Sequence, residues 1–208
     1  MRTLQTVTYN RTLAVRYALR HWNNPNPAFA NMDTLGAGGD CTNFTSQALL
    51  AGGWPMDYRE TGFDTEWWYR RIGQDPFDRN ADDWWSCTWA LAELHFRYML
   101  ASGAVVLDVT TSLRRARRLR RGDICYYDFD GDGRITHSAL VTSHSRSGIP
   151  RVTYRTLRPR SPVRNRDYRL RFRGRARRIW GVRVPSRPMV WPAAPDWNRL
   201  RPCDRTRG

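Results

Sequence analysis

Apolar positions divide this chain into a helical first half and a strand-rich second half. Helical spacing predicts a first helix over residues 8–22, ended by the Asn/Pro segment 23–27. A second helix is predicted from Thr42 to Ala51, starting close to Cys41, and a third from Cys87 to about Ser102 with Ser86 as its N-cap. Residues 55–85 are aromatic and acidic, and their periodicity assigns no element.

The second half alternates branched and aromatic residues with turn residues. Strands are predicted over 122–129, 134–144, 151–157, 168–173 and 178–184. Helices followed by an antiparallel meander predict an α+β fold, with N-terminal helices packed on an antiparallel β-sheet. Residues 1–184 would then form one domain, and residues 185–208 a Pro- and Arg-rich C-terminal tail that packs in extended form or frays.

Length and hydropathy limit the classes of protein to consider. The 208 residues suffice for one domain with a hydrophobic core. No apolar run reaches the roughly 18 residues of a membrane-spanning helix, so no membrane span is expected. Arginines interrupt the N-terminal segment where a secretory signal is apolar, so no signal peptide is expected. A cytoplasmic protein and one secreted after processing both fit, and the localisation stays open.

Charge is distributed unevenly along the chain. All 35 basic residues are Arg; residues 1–113 hold 9 of them against 12 acidic residues, and residues 114–208 hold 26 against 7. This excess favours an anionic partner such as an anionic polymer, although a coding bias or a solvated surface also explains it. The run 114–121 lacks the interleaved aromatics of single-strand binders, so nucleic acid is the least favoured partner.

Cysteine spacing argues against a zinc site and against a dense disulfide framework. The four cysteines, Cys41, Cys87, Cys125 and Cys203, form no C-x-x-C pair. One bridge, Cys87 to Cys125 or Cys125 to Cys203, is left open.

Cys41 lies between the turn GAGGD and a predicted helix. A helix start lowers the pKa of a thiol, and its free N–H groups can stabilise an oxyanion. Cys41 is therefore a candidate nucleophile, the alternative being a small buried residue.

A cysteine nucleophile needs a base, and the chain has four histidines: His21, His95, His137 and His144. His137 follows a tight acidic turn at the start of a predicted strand. At this position its side chain can face a site at the edge of the sheet. We therefore predict that His137 is the partner of Cys41; the alternative is an ordinary strand histidine.

Four blocks make a family resemblance specific: YNRTLAVRYALRHWNNPNPAF at 9–29, GGDCTNFTSQALLAGGW at 38–54, SCTWALAELHFRYML at 86–100 and LRRGDICYYDFDGDGRITHSALVTS at 119–143. Together they resemble the putative amidase domain family, which is similar to the papain-like NlpC and CHAP cell-wall hydrolases. The resemblance implies a papain-like fold with Cys41 as nucleophile and His137 as general base. It also implies a bacterial cysteine amidase or peptidase acting on peptides or on the stem peptides of peptidoglycan, without a required cofactor.

The chain departs from the family pattern at the group that would orient the histidine. The family often has a His-Thr pair followed by an acidic residue or amide on the next strand, but here Arg155 stands at that His and Arg158 near the acidic position. Arginine cannot accept a hydrogen bond from an imidazole N–H. Tyr154, Thr156 or a backbone carbonyl could orient His137 instead.

Polar neighbours of Cys41 have two interpretations. Asp40 either supports the site or caps the helix as an N-cap carboxylate. Asn43 and Gln47 could be oxyanion donors, but ordinary structural roles are favoured. Trp67, Trp68, Trp84 and Trp85 are candidates for substrate contact, with core packing as their favoured role.

The turn before His137 has the spacing of a calcium loop. Asp128, Asp130 and Asp132 occupy positions 1, 3 and 5, with Gly133 at position 6. Position 12 is Ala139 where a full loop supplies Glu, so a turn without metal is favoured. A calcium ion bound here would be structural, because it would brace the turn that positions His137.

Two functions from different classes therefore compete. One is a cysteine amidase or peptidase. The other is a catalytically impaired papain-like binding module that uses the Arg-rich C-terminal half to bind an anionic polymer.

Overall fold

The computed structural model describes residues 4–35, 39–58, 65–73, 80–156, 161–171, 174, 176–185, 189–192 and 195–203. Among these residues, no helix combines the length and the apolar character that crossing a bilayer requires.

The described residues form six helical segments: α1 Arg11–His21, α2 Met32–Leu35, α3 Cys41–Ala51, α4 Cys87–Ala90, α5 Ala92–Ala101 and α6 Leu113–Ala116. The first two predicted helices correspond to α1 and α3. The single third helix is wrong, because Leu91 is extended at φ −99° and ψ 126° and separates α4 from α5. Ser86 stands at the N-cap of α4, but its side chain makes no capping hydrogen bond.

The described strands are β1 Leu4–Val7, β2 Tyr69–Arg70, β3 Trp84–Trp85, β4 Val105–Asp108, β5 Ile124–Asp128, β6 His137–His144, β7 Pro150–Tyr154, β8 Val163–Asp167, β9 Arg178–Arg183 and β10 Met189–Pro192. Six of them form an antiparallel sheet in the order β4-β9-β5-β6-β7-β8. This architecture confirms the predicted α+β fold.

One predicted strand is misplaced. A strand is predicted over residues 168–173, whereas the described strand is β8 and ends at Asp167; residues 172 and 173 lie outside the described residues. The Asp167 carboxylate accepts hydrogen bonds from the backbone N–H and the guanidinium of Arg169, which turns the chain there.

The last strand of the sheet departs from a simple meander. Strands β5 to β8 follow one another in space, but β9 returns across the sheet to lie between β4 and β5. Cys125 of β5 faces Gly181 of β9 in this pairing. A Cβ on Gly181 would lie 2.8 Å from Leu119 Cδ1, so the glycine allows Leu119 to pack directly on the strand.

The sheet has a hydrophobic cluster on each face. One cluster joins α3 to the sheet through Phe44, Ala48 and Leu140. The other lies on the opposite face and contains Val141 and Tyr154. Side chains of successive β6 residues alternate between these two clusters.

The C-terminal segment is held at two points. Strand β10 pairs with β1, and Cys203 forms a disulfide with Cys87. Both bridges left open by the sequence are wrong, because Cys125 is a free thiol. Cys125 faces the cluster on the second face of the sheet, whereas Cys203 packs against the cluster on the helical face.

Candidate functional site

Cys41 is the first residue of α3, and 5% of its surface is exposed. Its Sγ lies 3.7 Å from the hydroxyl of Thr42. Asp40 stands at the N-cap position, but its side chain makes no capping hydrogen bond. The first-turn N–H groups of α3 therefore donate no hydrogen bond to the side chain of the N-cap residue.

The Asp40 carboxylate is buried and turned toward the end of β7. One oxygen accepts from Nε of Arg155, and the other accepts from Asn43 Nδ2 at 2.7 Å and from the N–H of Met32 at 3.0 Å. Burial raises the pKa of Asp40, and Arg155 acts in the opposite direction. Asp40 thus braces the segment before Cys41 and does not cap α3, and its support of the site stays a prediction.

Asn43 and Gln47 have structural partners. Asn43 donates to the carbonyl of Ala30 at 2.8 Å and accepts from Trp89 Nε1 at 2.7 Å. Gln47 Oε1 accepts from the hydroxyl of Tyr17 at 2.7 Å. These bonds join α3 to α1, α4 and the segment before α2.

His137 begins β6, and 1% of its surface is exposed. Its ring lies among three aromatic rings on the second face of the sheet. The centroid distances are 4.3 Å to Tyr154, edge-on, 5.6 Å to Tyr127 and 6.2 Å to Phe129. Packing of this kind restricts the orientation of an imidazole ring.

The start of α3 and the start of β6 meet through a hydroxyl cluster. The hydroxyls of Thr42 and Thr45 each lie 3.2 Å from the hydroxyl of Ser138, the residue after His137. Strand alternation points Ser138 at α3 and His137 toward the opposite face. Cys41 and His137 are therefore each one residue away from the same hydroxyl contact.

The end of β7 packs against the starts of α3 and β6. A Cβ on Gly39 would lie 3.4 Å from Thr156 Cγ2, so the backbone before Cys41 rests on this residue. Tyr154, two residues earlier, contacts the His137 ring. The segment 39–42 and the starts and ends of two neighbouring strands thus form one corner of the molecule, here called the Cys41 corner.

The residues that the sequence offers to orient His137 make different contacts. Tyr154 packs edge-on against His137, but the Thr156 hydroxyl donates to the carbonyl of Arg155 at 2.7 Å. Arg155 is 2% exposed, pairs with Asp40, and lies over the Phe44 ring at 5.4 Å. Arg158 lies outside the described residues.

The other three histidines have different surroundings. His21 Nδ1 lies 3.0 Å from the carbonyl of Asn24. His95 is fully buried, hydrogen-bonds to Tyr126 at 3.0 Å, and has a pKa lowered by burial to about 3. His144 ends β6, at the opposite end of the strand from His137.

The acidic turn before His137 is braced by its own backbone. Asp128 accepts from the N–H groups of Gly131 at 2.6 Å and Gly133 at 3.0 Å, and Asp132 accepts from the N–H of Arg134 at 2.8 Å. Within the described part of the chain, no three His, Cys, Asp or Glu side chains are grouped as metal ligands. Calcium binding by Asp128, Asp130 and Asp132 stays a prediction from their spacing alone.

Three of the four tryptophans proposed for substrate contact are core residues. Trp67, Trp68 and Trp85 are at most 2% exposed, whereas Trp84 is 37% exposed. The guanidinium of Arg70 lies 5.1 Å from the Trp84 ring.

Sequence reasoning missed two contributors to the Cys41 corner. Arg155 was considered only as a failed orienting group, although a buried Asp40 requires a cation nearby. Ser138 follows His137 directly and was not considered. Its small hydroxyl side chain, on the strand face that also carries Leu140, was the available signal.

Comparisons with known proteins match most of this chain to one family. The model of the family described as Putative amidase domain matches residues 8–178. The Bacillus subtilis (strain 168) protein called "Uncharacterized protein YhbB" is 34% identical over 151 residues, which are 71% of this chain and 42% of that protein. The chain spans less than half the length of this relative. No solved structure matches the chain.

Proposed function

This chain belongs to the Putative amidase domain family, and on that basis we propose that it is a cysteine-dependent amidase with a papain-like fold. In the proposal Cys41 is the nucleophile and His137 is the general base. Family membership supports amide hydrolysis in general terms, and the cysteine mechanism rests on the residues of the Cys41 corner.

The observation that carries the proposal is the contact between the start of α3 and the start of β6. Cys41 opens an 11-residue helix whose first turn hydrogen-bonds, through Thr42 and Thr45, to the residue after His137. A helix start favours the thiolate form of a cysteine, and in this proposal opening of the Cys41 corner brings the imidazole of His137 to the sulfur.

The proposed reaction proceeds in two steps. His137 takes the proton of Cys41 Sγ, the thiolate attacks the amide carbonyl carbon, and the C–N bond breaks as His137 protonates the leaving amine. Water then attacks the thioester, its proton passes through His137 to the sulfur, and the carboxylic acid leaves. The first-turn N–H groups of α3 stabilise the oxyanion of each tetrahedral intermediate, because the Asp40 side chain does not cap them.

Tyr154 is the best-supported positioning residue for His137. Its edge-on ring contact, at 4.3 Å between centroids, restricts rotation of the imidazole. In this proposal packing against Tyr154 orients the imidazole, and Arg155 serves the segment before Cys41 through Asp40.

Both proposed catalytic residues are buried, which limits how a substrate can reach them. Cys41 is 5% exposed and His137 is 1% exposed. An amide carbonyl must approach the attacking sulfur to about 3–3.5 Å, so substrate binding has to open the Cys41 corner. The same burial favours the second candidate function, a catalytically impaired module that binds an anionic polymer through its Arg-rich half.

Digestion of purified peptidoglycan and of synthetic stem peptides tests the proposal. We expect the native protein to release new primary amines, detected by amine labelling and mass spectrometry, and Cys41→Ala to lose at least about a thousandfold in rate. The matched control is Cys125→Ala, which removes the other free thiol from the opposite face of the sheet.

The outcomes separate the two functions. Release by native protein and by Cys125→Ala, but not by Cys41→Ala, supports the amidase. Equal release by Cys41→Ala contradicts the nucleophile assignment, and no release from any amide substrate favours the binding module.

A further inference from the structure

A basic cleft lies at the end of β6 opposite to His137. It has a volume of about 520 Å³ and is lined by Arg11, Thr12, Arg117, Leu119, Arg120, Arg121, His144 and Gly148. His137 and His144 are the first and last residues of β6, so roughly 20 Å of strand separate the cleft from the Cys41 corner. The proposed amidase reaction uses none of these lining residues.

Two arginines of the cleft are anchored by their Nε atoms. Arg121 Nε donates to the carbonyl of Thr142 at 3.1 Å, and Arg117 Nε donates to the carbonyl of Ser147 at 3.2 Å. Guanidinium groups held in this way keep their Nη donors available to a ligand and lose less conformational entropy on binding. The cleft is therefore better prepared for an anion than a set of freely rotating surface arginines.

The loop that presents these arginines is itself fixed. Gly122 has a φ of +84°, in the left-handed region that favours glycine, and turns the chain from Arg121 into β5. The Tyr9 hydroxyl donates to the Gly122 carbonyl at 2.8 Å. The backbone under the cleft thus has a defined position before any ligand binds.

The positive charge of three cleft arginines, Arg117, Arg120 and Arg121, is not neutralised within the described residues. Asp123, beneath the loop, pairs with Arg11 and also accepts from the N–H groups of Arg120 at 2.6 Å and Val184 at 3.0 Å. In the part of the chain that the structure describes, no carboxylate pairs with Arg117, Arg120 or Arg121. The first turn of α1, which carries Arg11 and Thr12, contains no acidic residue.

We propose that this cleft binds a polyanion through closely spaced phosphoryl groups. The planar guanidinium donates two parallel hydrogen bonds to phosphoryl oxygens, and several arginines around one open cleft fit several adjacent phosphoryl groups. Single-stranded nucleic acid fits less well, because such sites stack bases on aromatic rings and the only ring in this lining is the imidazole of His144.

Calorimetric titration of the full chain at about 0.15 M salt tests this site. The probes are inorganic tripolyphosphate and a poly(glycerol phosphate) chain. We expect the combined variant Arg117→Gln, Arg120→Gln, Arg121→Gln to weaken binding of both probes at least about tenfold. The matched control replaces three exposed arginines elsewhere, Arg16→Gln, Arg20→Gln and Arg164→Gln, and should change affinity less than about twofold.

The two probes distinguish the source of the phosphoryl groups. Tighter binding per chain to poly(glycerol phosphate) assigns the site to a polymer, and tighter binding to tripolyphosphate assigns it to a short soluble polyphosphate.

Equal weakening by both triple variants overturns the proposal, because it reports net charge alone. Binding of single-stranded RNA as tight as that of the phosphate probes also overturns it. The titration needs no turnover, so its failure is distinguishable from failure of the amidase proposal.

Discussion

Near each end of β6 a buried aspartate pairs with an arginine, but the two pairs differ in how exposed their arginines are. At the Cys41 corner, the side chains of Arg155 and Asp40 are 2% and 0% exposed. At the basic cleft, the side chains of Arg11 and Asp123 are 20% and 0% exposed. The first pair closes a corner around a thiol, and the second supports a loop that presents unpaired arginines to solvent.

The arginine-rich surface and the candidate catalytic residues therefore lie in different parts of the molecule. The Arg-rich second half of the chain supplies most of the cleft lining, whereas the candidate nucleophile lies at the other end of the sheet among buried neutral and ion-paired groups. The charge of the chain therefore indicates a binding surface and does not locate the reaction. Changes at one end of β6 should leave the function of the other end intact.

Breaking the two ion pairs gives the largest expected difference in stability. Arg155→Met should lower the free energy of unfolding by about 3–5 kcal/mol, because it leaves the Asp40 carboxylate buried without its cation. Arg11→Met should lower it by only about 1 kcal/mol, because Asp123 keeps two backbone donors and the Arg11 side chain is partly exposed. Urea denaturation of both variants measures the contrast.

A double variant provides the control for the larger effect. Arg155→Met combined with Asp40→Asn removes both charges and should recover most of the lost stability. Equal losses for Arg155→Met and Arg11→Met would remove the distinction between the two pairs.

The Cys87–Cys203 disulfide should stabilise the Cys41 corner and the basic cleft equally. Cys87 and Cys203 are 116 residues apart in sequence, and replacing both by Ser should lower the free energy of unfolding by about 2–4 kcal/mol. Thermal denaturation with and without reductant measures the loss. The rate of Cys41 alkylation and the affinity for polyphosphate, measured well below the melting temperature, should stay unchanged; a selective change at one end would show that the bridge supports that end alone.

His95 gives a smaller effect that depends on pH. Its folded-state pKa of about 3 lies below the unfolded value near 6.5, so between these values the unfolded chain binds the extra proton. The free energy contributed by neutral His95 is complete above about pH 6.5 and falls by up to ~1.4 kcal/mol per pH unit below it. His95→Asn, which keeps a polar partner for Tyr126, should flatten the pH dependence of unfolding between about pH 6 and 4. An unchanged slope would contradict the burial argument.

Local signals predicted the parts of the Cys41 corner that lie close in sequence. The glycine turn before Cys41 and the polar turn before His137 set the starts of α3 and β6 within the chain itself. Such local signals do not predict contacts between residues that are far apart in sequence. Nothing near Asp40 indicates that its cation is Arg155, 115 residues away.

The same limit explains the errors in the fold. Leu91 is extended although its neighbours favour a helix, because tertiary packing can override local preference. The return of β9 between β4 and β5 and the Cys87–Cys203 bridge both join distant segments. Hydrophobic alternation predicts that a segment is a strand, but it does not name the partner strand.

The rate of Cys41 alkylation by iodoacetamide near pH 7, without reductant, tests the central claim most directly. The two described free thiols are Cys41 and Cys125, and burial raises the pKa of the Cys125 thiol to about 12, so Cys125 is the internal reference. We predict that Cys41 reacts at least about a hundredfold faster than Cys125, and that His137→Gln slows Cys41 at least about tenfold while His21→Gln does not. Equal slow labelling of both thiols, or a Cys41 rate unchanged by His137→Gln, would contradict the pairing of Cys41 with His137.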